Sequence, residues 1–295
     1  MPEHPTERFP DWHDRQAVET WLDALVTENR FTVAVTFPLI GALILVASAE
    51  GLLPPWLSFN AWAILTGTVV MRLPLVAGVA PLVKRRTLAA LALLTGYAYG
   101  IELLGVTTGW PYGAFEYGVS LGPMLLGEVP VGLPVFFFPL VLNSYLLCLL
   151  ILGNRASSAA VRLPVVIASV LAMDLVLDPA AVSLGFWTYD AGGAYYGVPW
   201  SNYAGWVLSA TVAVGLFDLA FDTRTLVARL RSCPFMLDDL VSFVILWGGI
   251  NAYFGNWIPV AVAGIFFAGL LHVDRFDFSV LRTAPGAAWF AARDQ

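Results

Sequence analysis

GYAYGIELLGVTTGWPYGAFEYGVSLGPMLLGEVPVGLP, residues 96–134, reads as an apolar helix carrying one carboxylate, Glu102, then a glycine-rich aromatic loop, then the start of another apolar helix. A second stretch echoes it at residues 173–203, MDLVLDPAAVSLGFWTYDAGGAYYGVPWSNY. In both, the acid precedes a glycine by seven residues (Glu102 to Gly109, Asp178 to Gly185), and that glycine opens an aromatic cluster. Both loops close on Val-Pro, Val129-Pro130 and Val198-Pro199. Two helices, each with an acid about two turns below an aromatic rim, suit acid chemistry on an apolar molecule.

Working outward, composition fixes the class. The 295 residues are 59% hydrophobic and 12% charged, with a mean hydropathy of +0.76. That leaves too little polar surface for a soluble domain. The expectation is an all-α, polytopic integral membrane protein with an internal repeat of helix, aromatic loop and helix. Apolar runs near 32–52, 60–82, 88–108, 131–152, 163–184, 202–221, 238–254 and 256–273 are each about long enough to span a bilayer, giving about eight transmembrane helices. They form a catalytic domain over 31–275, between an acidic tail at 1–30 and a C-terminal tail at 276–295. Within the first tail, Val18, Trp21, Leu22, Leu25 and Val26 fall on one helical face, as in an interfacial helix. The first thirty residues lack the basic start and short apolar core of a cleavable signal peptide, so the first membrane helix is expected to act as the insertion signal.

Basic residues set the expected orientation. Lys84, Arg85 and Arg86, then Arg155 and Arg162, then Arg224, Arg229 and Arg231 fall in alternate loops, and the intervening loops contain no lysine or arginine. The positive-inside rule then puts both chain ends in the cytoplasm and both aromatic loops outside. Lys84 is the only lysine, and the pI is about 5.0. Such an acid-rich, lysine-poor chain points to a high-salt habitat, where dense carboxylates hold hydration.

Charged residues inside the spans need partners. Arg72 lies midway along its span, and counting depth at about 1.5 Å per residue pairs it with Asp174. Glu102 and Asp178 share a shallower depth. Asp174 and Asp178, four apart, lie on one helix face. Two carboxyls close together in low dielectric cannot both ionise, so one is kept as a proton donor. The bland alternative is that these acids only cap or bridge helices.

Tyr99, Trp110, Tyr112, Trp187, Tyr189, Tyr196 and Trp200 crowd the same level. They could be an interfacial aromatic belt, but aromatic faces also stabilise cations, so they are candidate substrate contacts. Glu128, Asn143 and Asn202 are candidates for orienting water or the acids, or for helix caps and interhelical bonds. The three histidines form no ligand cluster, and the spans contain no lysine for a Schiff base. Asp218 and Asp222 make a second D-x-x-x-D beside Asp174 and Asp178, a pattern that can hold magnesium diphosphate. The two motifs, however, belong near opposite membrane faces. Neither a metal nor a cofactor is expected, and the two cysteines suggest packing.

The run from Glu102 through GWPYGAFEY to LGEVPVGLP, with Asp174, Asp178-Pro179, GFWTY and YYGVPWSNYAGW, resembles the membrane-bound carotenoid hydratase family over about residues 35–275. The resemblance implies addition of water to the terminal isopropylidene double bond of an acyclic carotenoid, without a cofactor. The implied partners are an apolar carotenoid, water and the lipid bilayer, with association with other carotenoid enzymes as a further expectation and no nucleic acid. Asp178 or Glu102 would be the acid, with Asp174 held ionised by Arg72. Competing readings are an end-group cyclase, a transporter or proton pathway, and a carotenoid-binding subunit without catalysis.

Overall fold

The computed structural model describes residues 9–276, so the first eight residues and nearly all of the C-terminal tail expected at 276–295 lie outside the described residues. Helix α1 (Arg15–Phe31) is capped by Asp14, whose side chain accepts from the Gln16 amide. It continues through a π turn at Thr32–Thr36 into α2 (Phe37–Ala49). The interfacial helix and the first span are thus one segment, Arg15–Ala49, bent where Asn29 leaves helical geometry.

Next come α3 (Ala61–Val79), capped by Asn60, and α4 (Arg85–Thr108). The first aromatic loop carries short strands β1 (Phe115–Tyr117), β2 (Met124–Leu125) and β3 (Val129–Pro130). Then follow α5 (Leu133–Leu152), α6 (Ala159–Leu184), β4 (Trp187–Tyr189), α7 (Trp200–Ala220), α8 (Thr223–Ser232), α9 (Asp238–Phe254) and α10 (Trp257–His272).

Among the described residues, seven helical segments are long and apolar enough to cross a membrane. The eighth expected span is α10, a 16-residue apolar helix, shorter than the roughly 20 residues of a full crossing. Its start is fixed by a tight turn. Asn256 Nδ2 donates to Asn251 Oδ1 and Ser183 Oγ, each at 3.0 Å, which ties the α9–α10 corner to α6.

The internal repeat is visible in the packing. Helices α4 and α5 form one copy, α6 and α7 the other, and across the copies α4 packs on α7 and α5 on α6. This leaves α4 and α6 diagonally opposed around a common centre. Both end in a left-handed glycine, Gly109 at φ 76° and Gly185 at φ 74°, a conformation that favours glycine. The loops that follow meet each other: β1 pairs antiparallel with β4, with Phe115 opposite Tyr189 and Tyr117 opposite Trp187. Period-two alternation turns these four aromatics inward and Glu116 and Thr188 outward.

In lipid, helices associate through close packing of small residues rather than hydrophobic exclusion. Gly205, Ser209 and Ala213, four apart on α7, form such a buried stripe. The Tyr112 ring lies between Gly105 of α4 and Gly205 of α7, where an added Cβ at Gly205 would come within 2.5 Å of the ring. Tyr112 and Tyr97 both share hydrogen bonds with Ser209 Oγ, at 2.6 and 3.1 Å.

Arg72 is the chief departure from expectation. It pairs with Asp239 at the start of α9, not with Asp174, and Asn143 Nδ2 also donates to Asp239, at 2.6 Å. Helix depth gives height but not direction around the axis, and α3 packs on α5 and α9 rather than on α6.

Candidate active site

Enclosed by α4 to α7 and roofed by the β1–β4 ribbon is a cavity of about 970 Å³, counting the space at its mouth. Its walls are apolar and aromatic, with Phe137, Phe186, Trp187, Trp206 and Trp247 prominent, and Phe137 stacks on Trp206 at 5.5 Å. Glu102, Asp178 and Asn202 bring polar groups into it, joined by Tyr112, Tyr117 and Tyr189.

The diagonal arrangement of α4 and α6 sets Glu102 and Asp178 against the same cavity from opposite sides. Each acid receives a phenol from its own loop. Tyr117 donates to Glu102 Oε1 in a short hydrogen bond, and Tyr189 donates to Asp178 Oδ2 at 3.2 Å. Burial first, and then the neighbouring carboxylate, pushes both phenols well above their ordinary value, so they remain neutral donors.

Asp178 has a further donor. Asn202 Nδ2 donates to Asp178 Oδ2 in a short bond and to Asp174 Oδ2 at 3.0 Å, bridging the two acids. Asp174, one turn away on the same face of α6, is fully buried behind the cavity and does not line it. Among the described residues no donor meets Glu102 Oε2 or Asp178 Oδ1, so each acid keeps one oxygen for a guest.

The local fold holds Asp178 in place through the proline that follows it. Pro179 has no N–H, so the Leu175 carbonyl loses its helical donor. Tyr195 Oη donates to that carbonyl at 3.3 Å, and Asn251 Nδ2 donates to Val176 O at 2.7 Å. The same device recurs at Pro139, where the freed Val135 carbonyl accepts from Arg72 Nε at 3.4 Å. Arg72 and Asn143 therefore brace α3, α5 and α9, and neither lines the cavity.

Of the other expected site residues, Tyr112, Trp187 and Tyr189 line the cavity and five do not. Tyr99 donates to Val131 O at 2.6 Å, Tyr196 Oη accepts from the Ile258 amide at 3.3 Å, and Glu128 is exposed in the β2–β3 turn. Trp110 and Trp200 are 57% and 65% exposed, as belt residues would be. Asp218 pairs with Arg162 and accepts from Tyr145, and Asp222 caps α8 by accepting from the Thr225 amide. Phe115, Tyr117, Phe137, Trp206 and Trp247 also line the cavity and are not among the residues that the sequence singles out.

Comparison with known proteins identifies the family. The carotenoid biosynthesis protein family profile matches residues 59–270. A relative described as bisanhydrobacterioruberin hydratase, from Haloarcula japonica, is 65% identical over 266 residues, covering 90% of each chain. No solved structure matches. With the profile spanning both copies of the repeat and the relative covering nearly the whole chain, this protein belongs to the carotenoid biosynthesis protein family.

Proposed function

We propose that this protein hydrates the terminal isopropylidene double bonds of an acyclic fifty-carbon carotenoid, converting bisanhydrobacterioruberin to bacterioruberin. The observation that carries the proposal is the pair of acids facing one aromatic cavity inside a membrane bundle, in a chain so similar to a hydratase.

Hydration begins when an acid gives its proton to the less substituted alkene carbon, whose π electrons form the new C–H bond. The tertiary cation left on the other carbon is faced by Trp187, Trp206 and Trp247, and aromatic faces stabilise positive charge. Water then forms the C–O bond, and its spare proton passes to the second carboxylate. Asp178 Oδ2 already accepts from Asn202 and Tyr189, an environment suited to the carboxylate that orients and deprotonates water. Glu102 accepts from a single phenol and is assigned as the proton donor. Asp174 supports Asp178 through Asn202.

The membrane orientation belongs to this proposal. Both chain ends face the cytoplasm, and the loops that roof the cavity face outward, so the carotenoid end reaches the acids from the outer leaflet.

The test is mass spectrometry of carotenoids from cells making this chain together with the acyclic precursor. A gain of one water per end, lost in Asp178→Asn, is expected. Full hydration by folded Asp178→Asn would remove Asp178 from the mechanism. An isomer of unchanged mass would favour an end-group cyclase instead.

A further inference from the structure

Hydration in an apolar cavity needs a place for water that the substrate does not occupy. Asp174 Oδ1 and the Tyr203 hydroxyl are both buried and, among the described residues, without a hydrogen-bond partner. Asp174 is 0% and Tyr203 8% exposed. Buried polar atoms are nearly always satisfied, and an orphaned pair beside a reactive site calls for a guest that can bond to both.

Their positions point the same way. Tyr203 follows Asn202 on α7, and Asn202 bridges Asp174 to Asp178. The Tyr203 ring packs against that of Tyr195, whose hydroxyl donates at 3.3 Å to the carbonyl of Leu175, the residue after Asp174. Neither Asp174 nor Tyr203 lines the substrate cavity, whereas Asp178 and Asn202 do. From Tyr203 an aromatic path leads outward: its ring centroid lies 5.8 Å from that of Tyr195 and 5.7 Å from that of Trp200, which is 65% exposed.

From this we infer that Asp174 Oδ1 and Tyr203 Oη form a water-binding site behind Asp178, distinct from the carotenoid cavity, which supplies the nucleophilic water past the Asn202–Asp178 bridge. The inference rests on the hydratase reading. In it Tyr203 is a water-positioning residue: its hydroxyl can donate to the bound water or accept from it, while Asp174 Oδ1 accepts. Water passing from this site to the cation gives its oxygen to the new C–O bond and one proton to Asp178.

A starved water supply has a signature that loss of folding lacks. A cation not captured by water returns to the alkene by losing a proton, so turnover in D2O leaves deuterium in recovered substrate. The experiment uses the full chain in membranes with the acyclic fifty-carbon carotenoid in D2O, and compares hydrated product with deuterium in unreacted alkene. Tyr203→Phe keeps the ring and removes only the hydroxyl. It is expected to raise the ratio of exchange to hydration about tenfold, as loss of roughly one hydrogen bond from the bound water would.

Asp174→Asn provides a second variant with the same expected direction, should Tyr203→Phe fold poorly. An unchanged ratio in either folded variant overturns the water site while leaving the hydratase reading intact. Absence of hydrated carotenoid from the wild-type chain overturns the underlying reading instead.

Discussion

Glu102 and Asp178 occupy equivalent positions in the two copies of the repeat, yet their surroundings are unequal, and the inequality sets their proposed roles. Glu102→Gln should abolish both hydration and deuterium uptake from D2O, because no proton reaches the alkene. Asp178→Asn should lower hydration by at least about a hundredfold, within the range for a lost general base, while deuterium uptake persists. Uptake surviving in Glu102→Gln would exchange the two assignments. Tyr117→Phe removes one hydrogen bond to Glu102. Such a bond to an ionisable group contributes about 1.5–3 kcal/mol, so a rate loss of roughly ten- to a hundredfold is expected in initial-rate assays. The acids were readable in the sequence because a carboxylate inside a span has to be compensated. Tyr117 was harder to single out, since an aromatic near a helix end is already explained by the interface.

At the scale of helices and strands, the repeat was visible as spacing, but not how its copies meet. Three-residue strands such as β1 and β4 carry too little periodicity to identify, and nothing local specifies that Phe115–Tyr117 pairs with Trp187–Tyr189. The proline kinks were equally opaque: Pro179 was plain in the sequence, while the donor to the freed Leu175 carbonyl comes from a distant loop, and Val176 O accepts a further donor from α9. Helix contact directions were hidden for the same reason, which is why Arg72 was assigned the wrong partner. The α4–α7 seam can be tested directly. Gly205→Ala would place a methyl 2.5 Å from the Tyr112 ring. Overpacking of this kind costs about 1–3 kcal/mol, so a lower melting temperature in detergent is expected, together with reduced hydration as Tyr112 shifts in the cavity wall. A variant with unchanged melting temperature and activity would mean the seam is looser than the contact implies.

Across the whole molecule, charge compensation divides into two regions. Toward the face assigned to the cytoplasm, acids are matched by arginines: Asp238 with Arg30, Asp239 with Arg72, Asp218 with Arg162 and Asp23 with Arg229. Around the cavity, Glu102, Asp174 and Asp178 are met by phenols and an amide, and among the described residues by no cation. An arginine there would lock a carboxyl as the anion, whereas neutral donors leave it able to give and take a proton. Breaking a buried ion pair on the braced side leaves a charge uncompensated, so Arg72→Met should destabilise the fold by about 3–5 kcal/mol, measured by denaturant unfolding in detergent. This division also makes the orientation testable. Cys148 and Cys233 are both buried, so background labelling by a membrane-impermeant maleimide should be low. A cysteine at Glu116, on the outward side of β1, should label in intact cells, while one at exposed Lys84, between α3 and α4, should label only after permeabilisation. The reverse pattern would put the cavity mouth toward the cytoplasm, and the carotenoid would then have to reach the acids from the inner leaflet.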